Sequence, residues 1–284
     1  MKTLVAALAL GCLPVLGYPQ TNPLSLLPSL QAHAVFGGGP RTIPMTWLFV
    51  GAKPFSQILR LRAFLLGDSI ALPAINAPWK RLEVLPGQTV METARVNFPE
   101  VRAATPFLIQ WIGDNNTVLG TTPVIVYPTN LLAELKPLTA ETPIGLLDPE
   151  NTLKPLLKSA GVEYADLEET ALDSPPGKLA IAGPFSDWTR MPPDLGRRLE
   201  ALAKRGIGVV WLLPPPALLR PGERPREPAS PTFYALPHNR AALVIAQASM
   251  TTNIAENPLA QLNLIQLSKQ ALNPEPPKRP FLEP

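Results

Sequence analysis

The apolar residues of this 284-residue chain change their period partway along it, and that change restricts the fold more than any single motif does. From His33 to Tyr127 they alternate in short runs: TIPMTWLFV, ILRLRAFLL, QTVMETARVNF, TPFLIQWIG and TVLGTTPVIVY. A period of two puts every second side chain on one face of an extended backbone, so each run reads as a half-buried strand. Turn clusters such as LPGQ and GDNN separate the runs, the latter joining two of them as a hairpin. Short spacing, no helical pattern, and Trp47 and Trp111 inside strands predict an antiparallel β-sandwich over residues 30–130.

After PTNLLAELKPLTAET the grammar changes. PIGLL is a short buried strand, NTLKPLLKSAG a helix closed by Gly161, VEYADL a second strand and KLAIAG a third. PPDLGRRLEALAKRG is a helix with Pro193 near its start, Leu195, Leu199, Leu202 and Ala203 on one face, and Gly206 past its end. IGVVWLL and AALVIAQ are further strands, and NPLAQLNLIQLSKQAL is a helix with Asn257 as N-cap and Pro258 at its first position. Strands alternating with helices predict a doubly wound, mostly parallel α/β domain over 141–273. AELKPLTAET is then the linker before it, and residues 274–284 a Pro-rich tail.

The strand pattern of the first half resembles an immunoglobulin-like domain without its disulfide, which implies an architecture and no activity. The second half resembles the class I glutamine amidotransferase-like, flavodoxin-like superfamily, including the non-catalytic versions appended to some bacterial glycosidases. The resemblance rests on element order, on KLAIAGPF followed by a helix ending AKRGIGVVWLL, and on the late LVIAQASM and NPLAQLNLIQL. In catalytic members the strand matching IGVVWLL leads into a Gly-x-Cys-x-Gly elbow that holds a thiol at a helix N-terminus, where its pKa falls. Here Pro214, Pro215 and Pro216 occupy that place, and the one downstream histidine, His238, lies between Pro237 and Asn239 with no glutamate beside it. The resemblance therefore implies the scaffold without amidotransferase chemistry.

Composition narrows the function classes. With 46% hydrophobic residues the chain can bury a real core, and a net charge of +3 with acids and bases interspersed gives no nucleic-acid footprint. The opening MKTLVAALALGCLPVLGYPQ has one lysine, an apolar stretch too short to span a bilayer, and Val15 and Gly17 at the small-residue positions before a cleavage site. It reads as a signal peptide over 1–17 of an exported, periplasmic or extracellular protein with no transmembrane helix in the mature chain. ALGC also partly matches a lipoprotein box, leaving open a chain lipid-anchored through Cys12. Cys12 is the single cysteine, so no internal disulfide can form and core packing must supply stability. The 37 prolines far exceed the usual ~5% and sit mainly between apolar runs, as rigid connections. No dinucleotide, P-loop or nucleophile-elbow motif is present, and His33 and His238 fall in different predicted domains without a cysteine partner. The expectation is therefore no cofactor and no metal.

Two surfaces remain as site candidates. If the first and third α/β strands are neighbours, their following loops flank the crevice where open α/β sheets bind ligands. That would gather Asp148, Glu150, Ser186, Asp187 and Trp188, with the carboxylates as acid and base or as hydrogen-bonding partners of sugar hydroxyls beside a stacking tryptophan. Alternatively, Asp148 and Asp187 are turn and cap residues. The second surface is a docking loop in PPPALLRPGERPREPASPTFYALP, with eight prolines between residues 214 and 237 and Arg220, Arg224, Arg226, Phe233 and Tyr234 as anchors. The leading expectation is an exported, non-enzymatic interaction or structural protein of the cell envelope with an envelope-protein partner. The rival is a carbohydrate-active accessory or hydrolytic protein using the crevice.

Overall fold

The computed structural model describes residues 22–29, 31–67, 71–168, 175–185, 189, 191–213, 233–238 and 240–274. Its architecture is mixed β plus α/β, in three sheets. The first sheet has β1 (Leu24–Leu26), β3 (Gly39–Phe49) and β6 (Thr89–Phe98) in the order β1-β3-β6, all antiparallel. The second has β2 (His33–Phe36), β4 (Phe55–Leu66), β5 (Ala71–Val84), β7 (Thr105–Ile112) and β8 (Val118–Tyr127) in the order β2-β8-β7-β4-β5. Inner faces of both sheets share one core. Ile43, Trp47 and Phe98 of the first sheet meet Leu59, Leu61, Leu82, Phe107, Ile109 and Trp111 of the second.

Four features differ from the sequence expectation. The sandwich is not wholly antiparallel, because β2 runs parallel to β8. The chain leaves the first sheet after Leu26 and joins the second, so the two short strands of one segment serve different sheets. The sandwich also starts before residue 30, with β1. Finally, β5 has no run assigned to it, since Pro73, Pro78 and an exposed first half obscure its alternation.

Between the sheets lies a tryptophan cluster. Trp47 meets Trp111 edge to face at 6.1 Å and stacks on Trp79 at 6.5 Å, while Trp79 and Trp111 are 5.2 Å apart. Trp111 Nε1 donates to Thr122 Oγ1 at 2.9 Å, which satisfies a donor that burial would otherwise orphan.

The third sheet has β9 (Ile144–Leu147), β10 (Tyr164–Asp166), β11 (Leu179–Ala182), β12 (Gly208–Leu213), β13 (Phe233–His238) and β14 (Ala241–Gln247) in the order β10-β9-β11-β12-β14-β13. All pairs are parallel except β13 on β14. Strands β9 and β11 are buried at every residue, the pattern of a sheet covered on both faces. On one face Ala180, Val209, Leu243 and Ile245 pack with Leu195, Leu199, Leu202 and Ala203 of α3 (Leu195–Lys204). On the other face Leu146, Ile181, Val210 and Val244 pack with Leu264, Ile265 and Leu267 of α4 (Pro258–Leu272). Asn257 caps α4, its Oδ1 accepting the Leu259 N–H at 3.0 Å.

Two further expectations are corrected. The segment AELKPLTAET does not act as a bare linker: residues Leu131–Glu134 form a 3-10 turn and Leu135–Leu138 a one-turn helix, α1. Leu131, Leu132 and Leu135 are buried in the core that holds Ile144, Leu157 and Leu264, and Phe36 of β2 joins them. The Pro-rich stretch up to Pro237 is likewise not a single loop, because Phe233–His238 is the edge strand β13. An edge position tolerates Pro237, whose missing N–H would break a ladder in a central strand.

Seven prolines lie inside described strands, namely Pro40, Pro44, Pro73, Pro78, Pro106, Pro123 and Pro237, whereas the sequence places prolines mainly between the runs. Each sits where one side of its strand lacks a neighbour. Strands β5 and β13 are sheet edges; Pro106 precedes the first β7 residue paired with β4; Pro123 precedes the β8 residues paired with β2. In β3, Thr46 O accepts from Leu27 N, so even-numbered residues face the β1 side, and β1 covers that side only from Trp47 onward. Pro40 and Pro44 face its uncovered part.

Candidate functional site

The loops at the C-terminal ends of the parallel strands converge on a crevice of about 330 Å³, lined by Glu150, Thr152, Pro184, Phe185 and the residues Thr251–Ala255. Strand pairing explains its place. β9 and β11 are hydrogen-bonded neighbours, yet the chain continues from β9 outward to β10 and only then returns to β11, so their following loops diverge and leave a gap. Phe185 is buried as the floor. Asn151 and Asn253, one in each flanking loop, take left-handed backbone at φ 54° and 52°, a region that asparagine tolerates better than most residues.

Asp148 ends β9 but does not face this gap. It is fully buried, its Oδ1 accepting from Thr152 N at 3.0 Å and its Oδ2 from Leu153 N at 2.6 Å and Lys154 N at 2.9 Å. Those three N–H groups open α2 (Lys154–Ser159), and none has a carbonyl one turn earlier to bond. Asp148 therefore spends its carboxylate as the cap of this helix. We expect Asp148→Ala to lower stability by about 2–3 kcal/mol and Asp148→Asn, which keeps one acceptor, by about half that, read from urea unfolding. Equal losses for the two would contradict the capping role.

Beside the cap, Lys154 Nζ bridges Asp166 Oδ2 at 2.7 Å and Glu168 Oε1 at 2.8 Å, tying α2 to the end of β10. Burial alone would lower the Lys154 pKa, but the hydrogen bonds and charges of Asp166 and Glu168 outweigh it and raise it well above the ordinary lysine value. For Asp166, burial pushes up; the Lys154 bond, the Glu168 N–H and the Lys154 charge together hold it below the usual carboxylate value. A depressed folded pKa gives stability present above the unfolded value of about 4 and lost as pH falls through the folded one. Replacing Lys154 by Met should therefore flatten the loss of stability below about pH 4, as measured by urea midpoints across an acid series. An unchanged acid limb would show that the bridge carries no such linkage.

Of the five crevice candidates, Glu150 lines the gap and is exposed, and Asp148 is turned away from it. Ser186, Asp187 and Trp188 lie outside the described residues, as do Cys12, Arg220, Arg224, Arg226, residues 1–17, the prolines 214–216 and the tail from 275. Phe233 and Tyr234 belong to β13, paired with Ala246 and Ile245. The sequence reading missed Thr251, Thr252 and Asn253. They follow β14 at the same C-terminal sheet edge, so the topological argument applied to β9 and β11 would have found them if extended two strands further.

A second cavity, of about 430 Å³, lies in the sandwich and was not foreseen. It is lined by Leu26–Ser29, His33, Pro44–Thr46, Met91–Thr93 and Thr122, where the chain crosses from β1 to β2. Burial lowers the His33 pKa, favouring neutral imidazole. Among the described residues no group of three His, Cys, Asp or Glu side chains could hold a metal ion, and no helix is long and apolar enough to cross a membrane.

No family model and no curated protein matches the chain. Among solved structures, an alkylpurine DNA glycosylase, AlkC, from Pseudomonas fluorescens aligns with 37% of this chain and 30% of its own, at 8% identity and a TM-score of 0.29. A β-glucosidase from Listeria innocua aligns with 37% of this chain and 16% of its own, at 12% identity and a TM-score of 0.27. A β-glucosidase from Kluyveromyces marxianus aligns over 36% and 14%, at 11% identity and a TM-score of 0.26. The chain thus spans less than a third of the length of any of these three.

Proposed function

We propose that this chain is a non-enzymatic interaction protein of the cell envelope. Its architecture would be an immunoglobulin-like sandwich followed by a glutamine amidotransferase-like, flavodoxin-like domain whose nucleophile elbow is lost. The observation that carries the reading is the fate of Asp148. A general acid or base must exchange protons with a ligand, and this carboxylate is closed from solvent and engaged by three backbone N–H groups. The order β10-β9-β11-β12-β14 supports the family assignment, since it is the 2-1-3-4-5 order of flavodoxin-like sheets. Export, with a mature chain starting near Tyr18 or at a lipidated Cys12, is part of the proposal, and the intact mass of protein from the native envelope tests it.

Stable co-purification of one envelope protein from a solubilised membrane fraction, with no turnover of a glycan panel, is the expected result. Turnover abolished by Asp148→Asn would overturn it. The crevice lining favours one second reading, that of carbohydrate binding without hydrolysis. Glu150, Thr152, Thr251, Thr252 and Asn253 supply the acceptor and donor chemistry that sugar hydroxyls pair with, beside the apolar Pro184 and Phe185. Titration of the protein with monosaccharides tests it, and an affinity unchanged by Glu150→Ala would count against it.

A further inference from the structure

Open strand edges invite pairing with another chain, and folded proteins block them with proline, charge or brevity. Among the described residues, long open edges include the uncovered part of β3 and the outer sides of β5, β13 and β6. The first carries Pro40 and Pro44, the second Pro73 and Pro78, the third Pro237. Strand β6, ten residues long, has none.

The hydrogen-bond phase of β6 is fixed. Phe49 N donates to Gln88 O, which makes the even-numbered residues of β6 those bonded to β3. The N–H and C=O groups of Thr89, Met91, Thr93, Arg95 and Asn97 therefore face away from the sheet, and no described residue pairs with them. Met91 on this row is 83% exposed, an apolar side chain left in water on an unguarded edge.

We propose that β6 pairs with β6 of a second copy of the chain, antiparallel about a two-fold axis at Thr93. This register sets outward-facing residues opposite one another, as a narrow antiparallel pair requires, and forms about ten backbone hydrogen bonds across its five such pairs. It puts Thr93 against Thr93, Met91 against the aliphatic stem of Arg95, and Thr89 against Asn97 of the other copy. On the inner face Val90 meets Val96, and Glu92 meets Ala94 while keeping its 2.6 Å bridge to its own Lys80. No like charges face each other, and threonine and valine pairs are favourable cross-strand neighbours. Moving the axis to Glu92 or to Arg95 would set two like charges in contact. The charge pattern thus excludes axes at Glu92 and Arg95 and permits the one at Thr93.

Analytical ultracentrifugation of the full chain, of Thr93→Pro and of Thr93→Lys tests the pairing. Proline at 93 removes an N–H that β3 does not use, and lysine there sets two ammonium groups opposite one another. The wild type is expected to be a dimer at about 100 µM that dissociates on dilution. Both variants should be monomers at that concentration, with thermal midpoints within about 2 °C of the wild type. Should Thr93→Pro fail to fold, Thr93→Lys decides. A wild type that stays monomeric at that concentration overturns the proposal and leaves the edge to a strand of a different protein, and a dimer unaffected by Thr93→Lys overturns it as well.

Discussion

A fragment that begins at Glu141 is expected to lose cooperative unfolding, and one that begins at Pro128 to regain it. The two differ by Leu131, Leu132 and Leu135, each at most 5% exposed and all packed in the core with Ile144, Leu157 and Leu264. Burying a leucine contributes about 1.5–3 kcal/mol, so the three together contribute about 5–9 kcal/mol. A domain of this size is stable by about 5–15 kcal/mol in total. Losing the segment therefore removes most of the margin, and also bares the apolar surface of α4 that it covers. Phe36, which enters the same core from β2, stays absent from both fragments, so the longer one should still melt below the full chain. Differential scanning calorimetry of the two fragments decides the matter. A sharp transition in the shorter one would mean that residues 128–140 only decorate the core.

The second large effect is expected at Trp47. It is fully buried and bridges the two sheets through Trp111 and Trp79. Trp47→Ala should cost about 3–5 kcal/mol, the range for deleting a large aromatic from a core. Phenylalanine separates packing from hydrogen bonding. Trp47 Nε1 has no partner among the described residues, so Trp47→Phe removes an unsatisfied donor together with some volume. Trp111→Phe removes a donor that Thr122, itself buried, uses. Urea unfolding should rank Trp111→Phe as the more damaging of the two, and the reverse order would show that volume alone governs this cluster.

Much of the α/β half is legible in the sequence because local pattern and tertiary burial agree there. Leu195, Leu199, Leu202 and Ala203 recur at helical spacing and are the buried face of α3; the apolar runs at Ile144–Leu147 and Leu179–Ala182 are the doubly covered strands. Where the two diverge, reading fails. In β5, alternation is lost because half the strand lies on an exposed edge, so its side chains need not alternate. Residues 133–142 read as a linker because Glu134, Lys136 and Pro137 dominate the impression, although the leucine spacing at 131, 132 and 135 is a helical signal. The crevice illustrates a different limit. Sequence placed Asp148 and Glu150 in one loop, but which of them faces the gap depends on how the backbone turns after β9, and capping α2 directs Asp148 inward.

The prolines inside the strands have a consequence for how variation in this chain would be read. A substitution such as Pro40→Thr or Pro44→Thr adds an N–H on a side where no strand waits for it, and it takes nothing from the core. Its effect on melting should be small, yet it converts a closed boundary into an adhesive one. Two assays of the same library would then disagree: a screen on thermal midpoint would score these positions as neutral, and a screen on soluble yield would score them as intolerant. Constraint at these sites would come from the crowd of other chains in the compartment and not from the fold of any one molecule.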